Sequence, residues 1–192
     1  MAATAAAYGF KPVGLLSSRP MPHGMRLIRI ADSYATNIFT HDVVKAVSDG
    51  TVALDAGTAT MTPVGIFMGC SYTDTTLGPI QRAYWPASTN ADNAGLPYAY
   101  VIDDPDVVMQ AQLNTAGAQT VLFNNAAAVQ TAGSTAVGLS KNAIGSVNTT
   151  STLPVRIIDF VEGPTSIIGD AFTDVLIIWN GVSHAYRNST GV

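Results

Sequence analysis

Short runs of Val, Ile, Thr and aromatic residues, separated by Gly, Pro, Asn and Asp, dominate the chain. Such runs are typical of half-buried β-strands, because branched and aromatic side chains pack well on a pleated surface. They predict strands at residues 25–31, 42–47, 51–55, 64–72, 79–85, 98–103, 107–113, 120–124, 154–161 and 174–181. The sequence Ser48-Asp49-Gly50-Thr51 predicts a hairpin turn between two of them, with Gly50 at positive φ.

No segment shows the apolar periodicity of an amphipathic helix. Residues 126–140 are rich in Ala, but Gly and Thr interrupt them, which favours a loop or an irregular strand. Regularly spaced strands without helices predict an all-β fold, an antiparallel barrel or sandwich of jelly-roll-like or β-tulip-like form. We expect residues 25–192 to form this single domain. Its loop-rich block, at about 124–153, is expected to be mobile or packed against another chain.

The first 24 residues are expected to form an extended N-terminal arm, because Pro and Gly interrupt any regular element there. Residues 1–31 contain four basic residues and no acidic one, whereas the remainder contains five basic and thirteen acidic residues. This asymmetry indicates an arm that lies on a neighbouring copy or on an acidic partner; a solvated tail is the alternative. Four dispersed charges do not indicate nucleic-acid binding. The residues predicted to bind the partner are Tyr8, Phe10, Lys11, Val13, Leu15, Leu16 and Arg19.

The composition favours burial of part of the surface in an assembly. Charged residues make up only 11% of the chain, against about 25% in ordinary soluble proteins. The chain has only three Lys and one Glu. These residue types are depleted in protein interfaces, so their scarcity is consistent with a large buried interface. The apolar runs are too short to predict a membrane span, and the N-terminus lacks the pattern of a signal peptide.

Catalytic signatures are weak throughout the chain. Ser71 lacks the second Gly and the following helix of a nucleophile elbow. Cys70 lies in an apolar run, which predicts a buried structural thiol. Both tryptophans lie in predicted strands and are expected to anchor a core or an interface. The histidines show no spacing for a shared metal and are expected to be isolated surface or capping residues. The tryptophans are Trp85 and Trp179, and the histidines are His23, His41 and His184.

Three carboxylates surround Pro105, at Asp103, Asp104 and Asp106. They form a weak calcium candidate, because hard cations prefer oxygen ligands. A turn is favoured instead, since Asp-Pro sequences initiate turns and no EF-hand pattern is present. The sequence therefore predicts no catalytic residue, no cofactor and no enzyme activity. A hydrolase that uses this cluster, or a triad assembled in space, remains an alternative.

Three stretches together resemble the capsid decoration (cement) proteins of tailed bacteriophages, which are small and β-rich. They are HDVVKAVSDGTVAL, PVGIFMGCSY and AYVIDDPDVVMQAQ. The resemblance covers roughly residues 8–125 and the closing strand. The positions that carry it are Asp42, Val43, Val44, Asp49, Gly50, Pro63, Val64, Gly65 and Ile66.

This resemblance implies a non-enzymatic virion structural protein that binds the outside of the capsid and cements neighbouring capsid subunits. Its expected partners are the major capsid protein and further copies of itself, with a homotrimer favoured and a dimer possible, and without nucleic acid or membrane. Assembly would take place in the host cytoplasm. The alternative is a tail- or fibre-associated virion protein with a glycan-binding (adhesin) role. A major shell-forming subunit is less favoured, because no long helix is predicted.

Overall fold

The computed structural model describes residues 4–17, 24–91, 97–164, 166–181 and 183–191. One 3₁₀ turn, Gln119–Val121, is the only helical element among them, and no helix in this part of the chain could cross a membrane. The strands are β1 Lys11–Leu15, β2 Arg26–Arg29, β3 Ile38–Phe39, β4 Val43–Ala46, β5 Val52–Leu54, β6 Pro63–Asp74, β7 Gly78–Arg82, β8 Tyr84–Trp85, β9 Tyr98–Ile102, β10 Val107–Gln112, β11 Asn125–Val129, β12 Ala143–Asn148, β13 Val155–Phe160 and β14 Asp174–Trp179.

The strands form two antiparallel sheets and a small ribbon. Sheet A has the order β1-β10-β14-β13-β11-β12, and sheet B has the order β2-β9-β6-β4-β5 with β7 also paired to β6. The ribbon pairs β3 with β8. Both sheets curl: a single bridge joins Leu113 to Ile144 in sheet A, and another joins Ile30 to Val52 in sheet B. The predicted all-β fold with antiparallel sheets is therefore confirmed, as packed sheets and not as a closed barrel.

Sheet B is the middle layer, because its strands bury side chains on both faces. Val43, Ile66 and Ile102 face sheet A and belong to the inter-sheet core. Their chain neighbours point the opposite way, as the two-residue period of a strand requires, and pack in a second core beneath the ribbon. These neighbours are Val44, Phe67 and Val101.

The tryptophans and the cysteine occupy the two cores as the sequence predicts. Trp179 is 2% exposed in the inter-sheet core, and Trp85 is fully buried in the second core. Cys70 belongs to the same second core as Trp85 and is also fully buried. Burial raises the pKa of the Cys70 thiol to about 12, which is the behaviour of an inert structural thiol.

Most strand predictions are confirmed, and one is wrong. Every predicted strand except 120–124 is present to within two residues at either end, with 79–85 divided into β7 and β8. The predicted hairpin joins β4 to β5, where Val47 N donates to Thr51 O at 2.9 Å and Gly50 has φ 83°. Residues 120–124 instead form the end of the 3₁₀ turn and a reversal at Phe123, whose φ is 63°.

The block at 124–153 contains regular structure that its composition concealed. β11 and β12 pair with each other in sheet A, and β11 also pairs with β13. Ala126 and Ala128 lie in the inter-sheet core, where their small side chains leave room for the larger residues opposite. The predicted alternative of an irregular strand holds for β11, whose pairing with β12 shifts register between Asn125 and Ala127, whereas the loop prediction is wrong for β12.

The prediction of a separate N-terminal arm is wrong for residues 4–17. β1 pairs with β10 and forms the edge of sheet A. Phe10 is fully buried in the chain's own inter-sheet core, edge-on to Trp179 with ring centroids 6.4 Å apart. Pro12 does not prevent this, because proline is tolerated on edge strands. Phe10 therefore finds its packing partners within the same chain, whereas Val13 and Leu16 stay exposed.

Side-chain and backbone hydrogen bonds hold the residues before β1. The buried amide of Gln112 donates to Thr4 O at 3.1 Å and accepts from Ala6 N at 2.9 Å. Gly9 N donates to Asn142 O at 3.1 Å. Gly9 has φ 79°, and a Cβ there would lie 2.6 Å from the carbonyl oxygen of His41, so only glycine fits. These contacts fix the segment across the domain.

A buried polar network ties the turn before β4 to the connection between β11 and β12. Asp42, which is 4% exposed, accepts hydrogen bonds from Phe39 N at 2.8 Å and from Asn142 Nδ2 at 3.2 Å. Asn142 Oδ1 in turn accepts from Thr131 N at 2.9 Å. Burial is the main cause that raises the pKa of Asp42 from 3.8 to about 6.

We predict that Phe10→Ala lowers the free energy of unfolding by about 3–5 kcal/mol, because it leaves a cavity in a core that cannot collapse fully. Val13→Ala is the matched control: Val13 is 44% exposed on the neighbouring strand β1, so a change within about 0.5 kcal/mol is expected. Urea denaturation measures both. Equal stability of the two variants would show that residues 4–17 form a detachable arm after all.

Stability is also predicted to fall as the pH rises through the range in which Asp42 ionises. The folded-state pKa of about 6 exceeds the ordinary value of 3.8, so the folded protein holds a proton that the unfolded chain releases. The stabilisation is complete below the lower value and is lost as the pH passes the higher one, at most about 3 kcal/mol in all.

Urea unfolding at about pH 4 and about pH 7, for the wild type and for Asp42→Asn, measures this linkage. Subtracting the two proteins removes the contribution of other groups that titrate in the same range. Identical pH dependence in the two proteins would contradict the assignment to Asp42.

Candidate interaction surface

The structure does not bring the predicted partner-binding residues together on one surface. Phe10 points into the core, and Tyr8 and Leu15 are half-buried. Burial raises the pKa of Tyr8, and the neighbouring Asp174 raises it further. Arg19 lies outside the described residues. The members that solvent reaches are Lys11, Val13 and Leu16, the last two at 44% and 50% exposure.

A larger surface lies on sheet B, beyond the part that sheet A covers. Ile66 and Ile102 mark the covered part, since both belong to the inter-sheet core. Further along β6 and β9, together with β2 and β7, the same face carries side chains that are half-buried or exposed. We call this surface the open face; it consists of Leu27, Arg29, Ser71, Thr73, Pro79, Gln81, Tyr98 and Tyr100.

The strand registers align the open face in two rows. In one row Arg29 is paired with Tyr98, Tyr98 with Ser71, and Ser71 with Gln81. In the other row Leu27 is paired with Tyr100, which is paired in turn with Gly69. A hydrogen bond from Gln81 Nε2 to the Tyr100 hydroxyl, at 3.3 Å, joins the two rows.

Local sequence explains why these side chains share a face. In β9, Ala99 and Val101 are fully buried in the second core, so the two tyrosines that alternate with them must point to the other side. Gly69 follows a register shift in β6 and has φ 140°. A Cβ there would lie 2.9 Å from the carbonyl oxygen of Arg82, so glycine permits the close approach of β7.

The open face combines aromatic, apolar and hydrogen-bonding groups with a single charge. Leu27 is 55% exposed, and Arg29, also exposed, is the one ionised residue in the set. Tyrosine and arginine are the residue types most enriched among interface residues that contribute strongly to binding. Four paired strands hold the side chains in place, so little conformational entropy would be lost on association. The arrangement suits contact with another flat surface.

The aspartates around Pro105 are engaged with arginines and with the turn itself. Asp103 pairs with Arg26 at 3.2 Å, and Asp106 pairs with Arg187 at 2.6 Å. Asp104 Oδ1 accepts a hydrogen bond from Asp106 N, which closes the turn between β9 and β10. Two of the three carboxylates are thus neutralised by arginines. The described residues contain no group of three His, Cys, Asp or Glu that could hold a metal ion.

The histidines lie apart. Of its two predicted roles, surface or capping, His184 has the second, because its Nδ1 accepts a hydrogen bond from Tyr186 N at 3.2 Å. His184 is fully buried and not at the surface; its ring lies 6.1 Å from that of Trp179 and 5.2 Å from that of Tyr186. His41 is half-buried, with Nδ1 3.0 Å from Tyr8 O. Burial lowers the pKa of both His41 and His184. His23 lies outside the described residues.

No protein-family model, curated protein or solved structure matches the chain. Sequence reasoning also missed the open face, although one signal for it was present. In Tyr98-Ala99-Tyr100-Val101, small and aliphatic residues alternate with tyrosines, which indicates a strand with one buried and one amphipathic face. The geometry of the open face is therefore the principal structural guide to function.

Proposed function

We propose that this chain is a non-enzymatic structural protein of a tailed-phage virion, which binds the outside of the capsid and cements neighbouring capsid subunits. The observation that carries the proposal is the open face, a rigid surface of tyrosine, leucine and arginine on sheet B. The low content of charged residues, 11%, supports burial of much of the exterior in an assembly. The resemblance to decoration proteins supports the identity of the partner.

Burial of the open face can supply the required affinity. Leu27, Tyr98 and Tyr100 would each contribute up to about 1.5–3 kcal/mol when removed from water. Arg29 would orient the partner through hydrogen bonds to carboxylate or carbonyl oxygens, because its guanidinium donates in a fixed planar geometry. The major capsid protein is the proposed partner, with an acidic or carbonyl-rich patch facing Arg29.

Cementing requires that each molecule or oligomer of this protein contacts more than one capsid subunit. Association of copies as a trimer, or as a dimer, would supply this, because linked contacts bind with far greater avidity than single ones. The exposed side chains of Val13 and Leu16, on and beside the edge strand β1, are available for contacts between copies. The N-terminal segment thus retains a role in assembly as part of the domain.

A glycan-binding role at the tail is the second candidate, and one observation favours it. Tyr98 and Tyr100 are adjacent on the open face, and Gln81 donates to the hydroxyl of Tyr100. Tyrosine rings with nearby amides suit contact with the apolar face and the hydroxyls of a sugar. The two candidates therefore share a surface and differ in its occupant.

We predict that replacing Leu27 by Ser and Tyr100 by Ala weakens binding to capsids at least about tenfold for each substitution, as expected from the loss of about 1.5 kcal/mol or more of apolar burial. Val137→Ser is the matched control, since Val137 is 65% exposed in a turn outside the open face. The measurement is co-sedimentation of the purified protein with heads that lack it.

Thermal unfolding of each variant verifies that the loss of binding does not reflect unfolding. Equal binding of Tyr100→Ala and Val137→Ser to the heads would show that the open face is not the surface that contacts the capsid. Failure of the wild type to bind heads, together with binding to a glycan array that Tyr100→Ala abolishes, would replace the cement function by the adhesin.

A further inference from the structure

A pocket of about 300 Å³ lies between the β4–β5 side of sheet B and the segment that joins β11 to β12. Its floor contains two polar side chains that are almost fully buried, Asp42 at 4% exposure and Asn142 at 2%. Apolar walls come from Phe39 and Leu54. Amide and hydroxyl groups line the remainder, from Thr36, Asn37, Gln130 and Thr131.

The carboxylate at the floor has hydrogen bonds but forms no ion pair with any residue that the structure describes. The groups that donate to Asp42, the backbone N of Phe39, the amide of Asn142 and the hydroxyl of Ser140, are all neutral. The ion pairs found in the described part of the chain involve Asp103 and Asp106 and not Asp42. A buried carboxylate without a cation is costly, and the raised pKa of Asp42 reflects that cost.

A second buried carboxylate adds to the negative potential. Asp55 is 3% exposed, and its oxygens accept only from backbone groups, Gly57 N at 3.0 Å and Thr62 N at 2.8 Å. Its own backbone N donates to Val43 O, beside Asp42 in the chain. Leu54 and Ala56, on either side of Asp55, line the pocket. The pocket therefore lies within the field of two buried acids that form no ion pair in the described part of the chain.

The other titratable groups nearby do not cancel this field. His41 precedes Asp42, but its ring is directed to Tyr8 O, and burial lowers its pKa, which keeps it neutral near pH 7. Lys141 precedes Asn142 and is exposed, so water screens its charge. Neither group forms an ion pair with Asp42 among the described residues.

Two side chains that line the pocket, Asp42 and Gln130, offer acceptor oxygens to a ligand. A carboxylate has about four lone-pair sites, of which Asp42 uses one each for Phe39 N, Asn142 Nδ2 and the Ser140 hydroxyl. The Nε2 of Gln130 donates to Asp55 O and Gly57 O, at 3.2 and 2.7 Å, which leaves its Oε1 as an acceptor. A complementary ligand must donate several hydrogen bonds and carry a positive charge.

We propose that this pocket binds a protonated primary amine, with the ammonium against Asp42 and its alkyl stem between Phe39 and Leu54. An ammonium is compact and has three donors on one atom, and its stem is apolar. Two sources share this chemistry, a small alkylamine and the lysine side chain of a partner chain. The site goes beyond the open face, because it lies on other elements and recognises a different group.

The test is a titration of the full-length protein with n-butylammonium, followed by amide NMR, with neutral n-butanol as the isosteric control. Butylammonium is expected to shift the side-chain amide signals of Asn142 and Gln130 and to saturate at millimolar concentration, whereas n-butanol leaves them unchanged. Asp42→Asn should weaken butylammonium binding at least about tenfold, equivalent to 1.4 kcal/mol. Asp49→Asn, at an exposed turn, is the charge-matched control.

The wild type supplies a second measurement in case Asp42→Asn does not fold. Its affinity for butylammonium should fall progressively as the pH drops below about 6, because protonation removes the negative charge. A capped tripeptide with a central lysine distinguishes the sources: tighter binding than butylammonium indicates a partner's lysine, and weaker binding indicates a free amine. Equal binding of n-butanol and butylammonium, affinity independent of pH, or preferential binding of a methyl hexoside would overturn the proposal.

Discussion

The fold depends on the requirement that sheet B bury both of its faces over the first half of β6. Ile66 must pack against sheet A while Phe67, the next residue, packs beneath the ribbon. This constraint demands a covering layer on each side of one sheet. Sheet A and the β3–β8 ribbon are those layers. Everything else in the domain, including the position of the N-terminal segment, is arranged to complete them.

The same constraint explains why the molecule has an open face. β6 extends from Pro63 to Asp74, longer than the width of sheet A that covers it. The ribbon side remains buried along the second half, where Cys70 and Tyr72 belong to the second core. The opposite side has no cover among the described residues. A sheet covered on one side only presents its alternate side chains as a ready-made binding surface.

Sequence patterns predicted the strands whose side chains alternate strongly or form long aliphatic runs, such as β6, β13 and β14. They failed where pairing with distant segments decides the outcome. β11 consists mainly of alanine, which has little intrinsic preference for strands, and its neighbours in sheet A supply the missing stability. The sequence alone predicted that Phe10 contacts another protein, because Trp179, the residue it packs against, is remote in the chain. No local pattern reports such a contact.

Surface sites were the least predictable feature, for a physical reason. The alternation in β9 indicates two different faces but not which of them another layer covers, since that depends on the extent of sheet A. The pocket at Asp42 is assembled from three separate parts of the chain. By contrast, the 103–106 turn was correctly favoured as a turn, because Asp-Pro chemistry acts locally.

The place of β1 in sheet A has a consequence for biosynthesis. β1 is synthesised before both of the strands that complete its part of sheet A, since β10 follows about ninety residues later and β14 follows β10 by about sixty more. Sheet A cannot be completed until β14 has been synthesised, and such distant pairings close slowly. Nascent chains therefore expose the Phe10 segment until these later strands have emerged and paired.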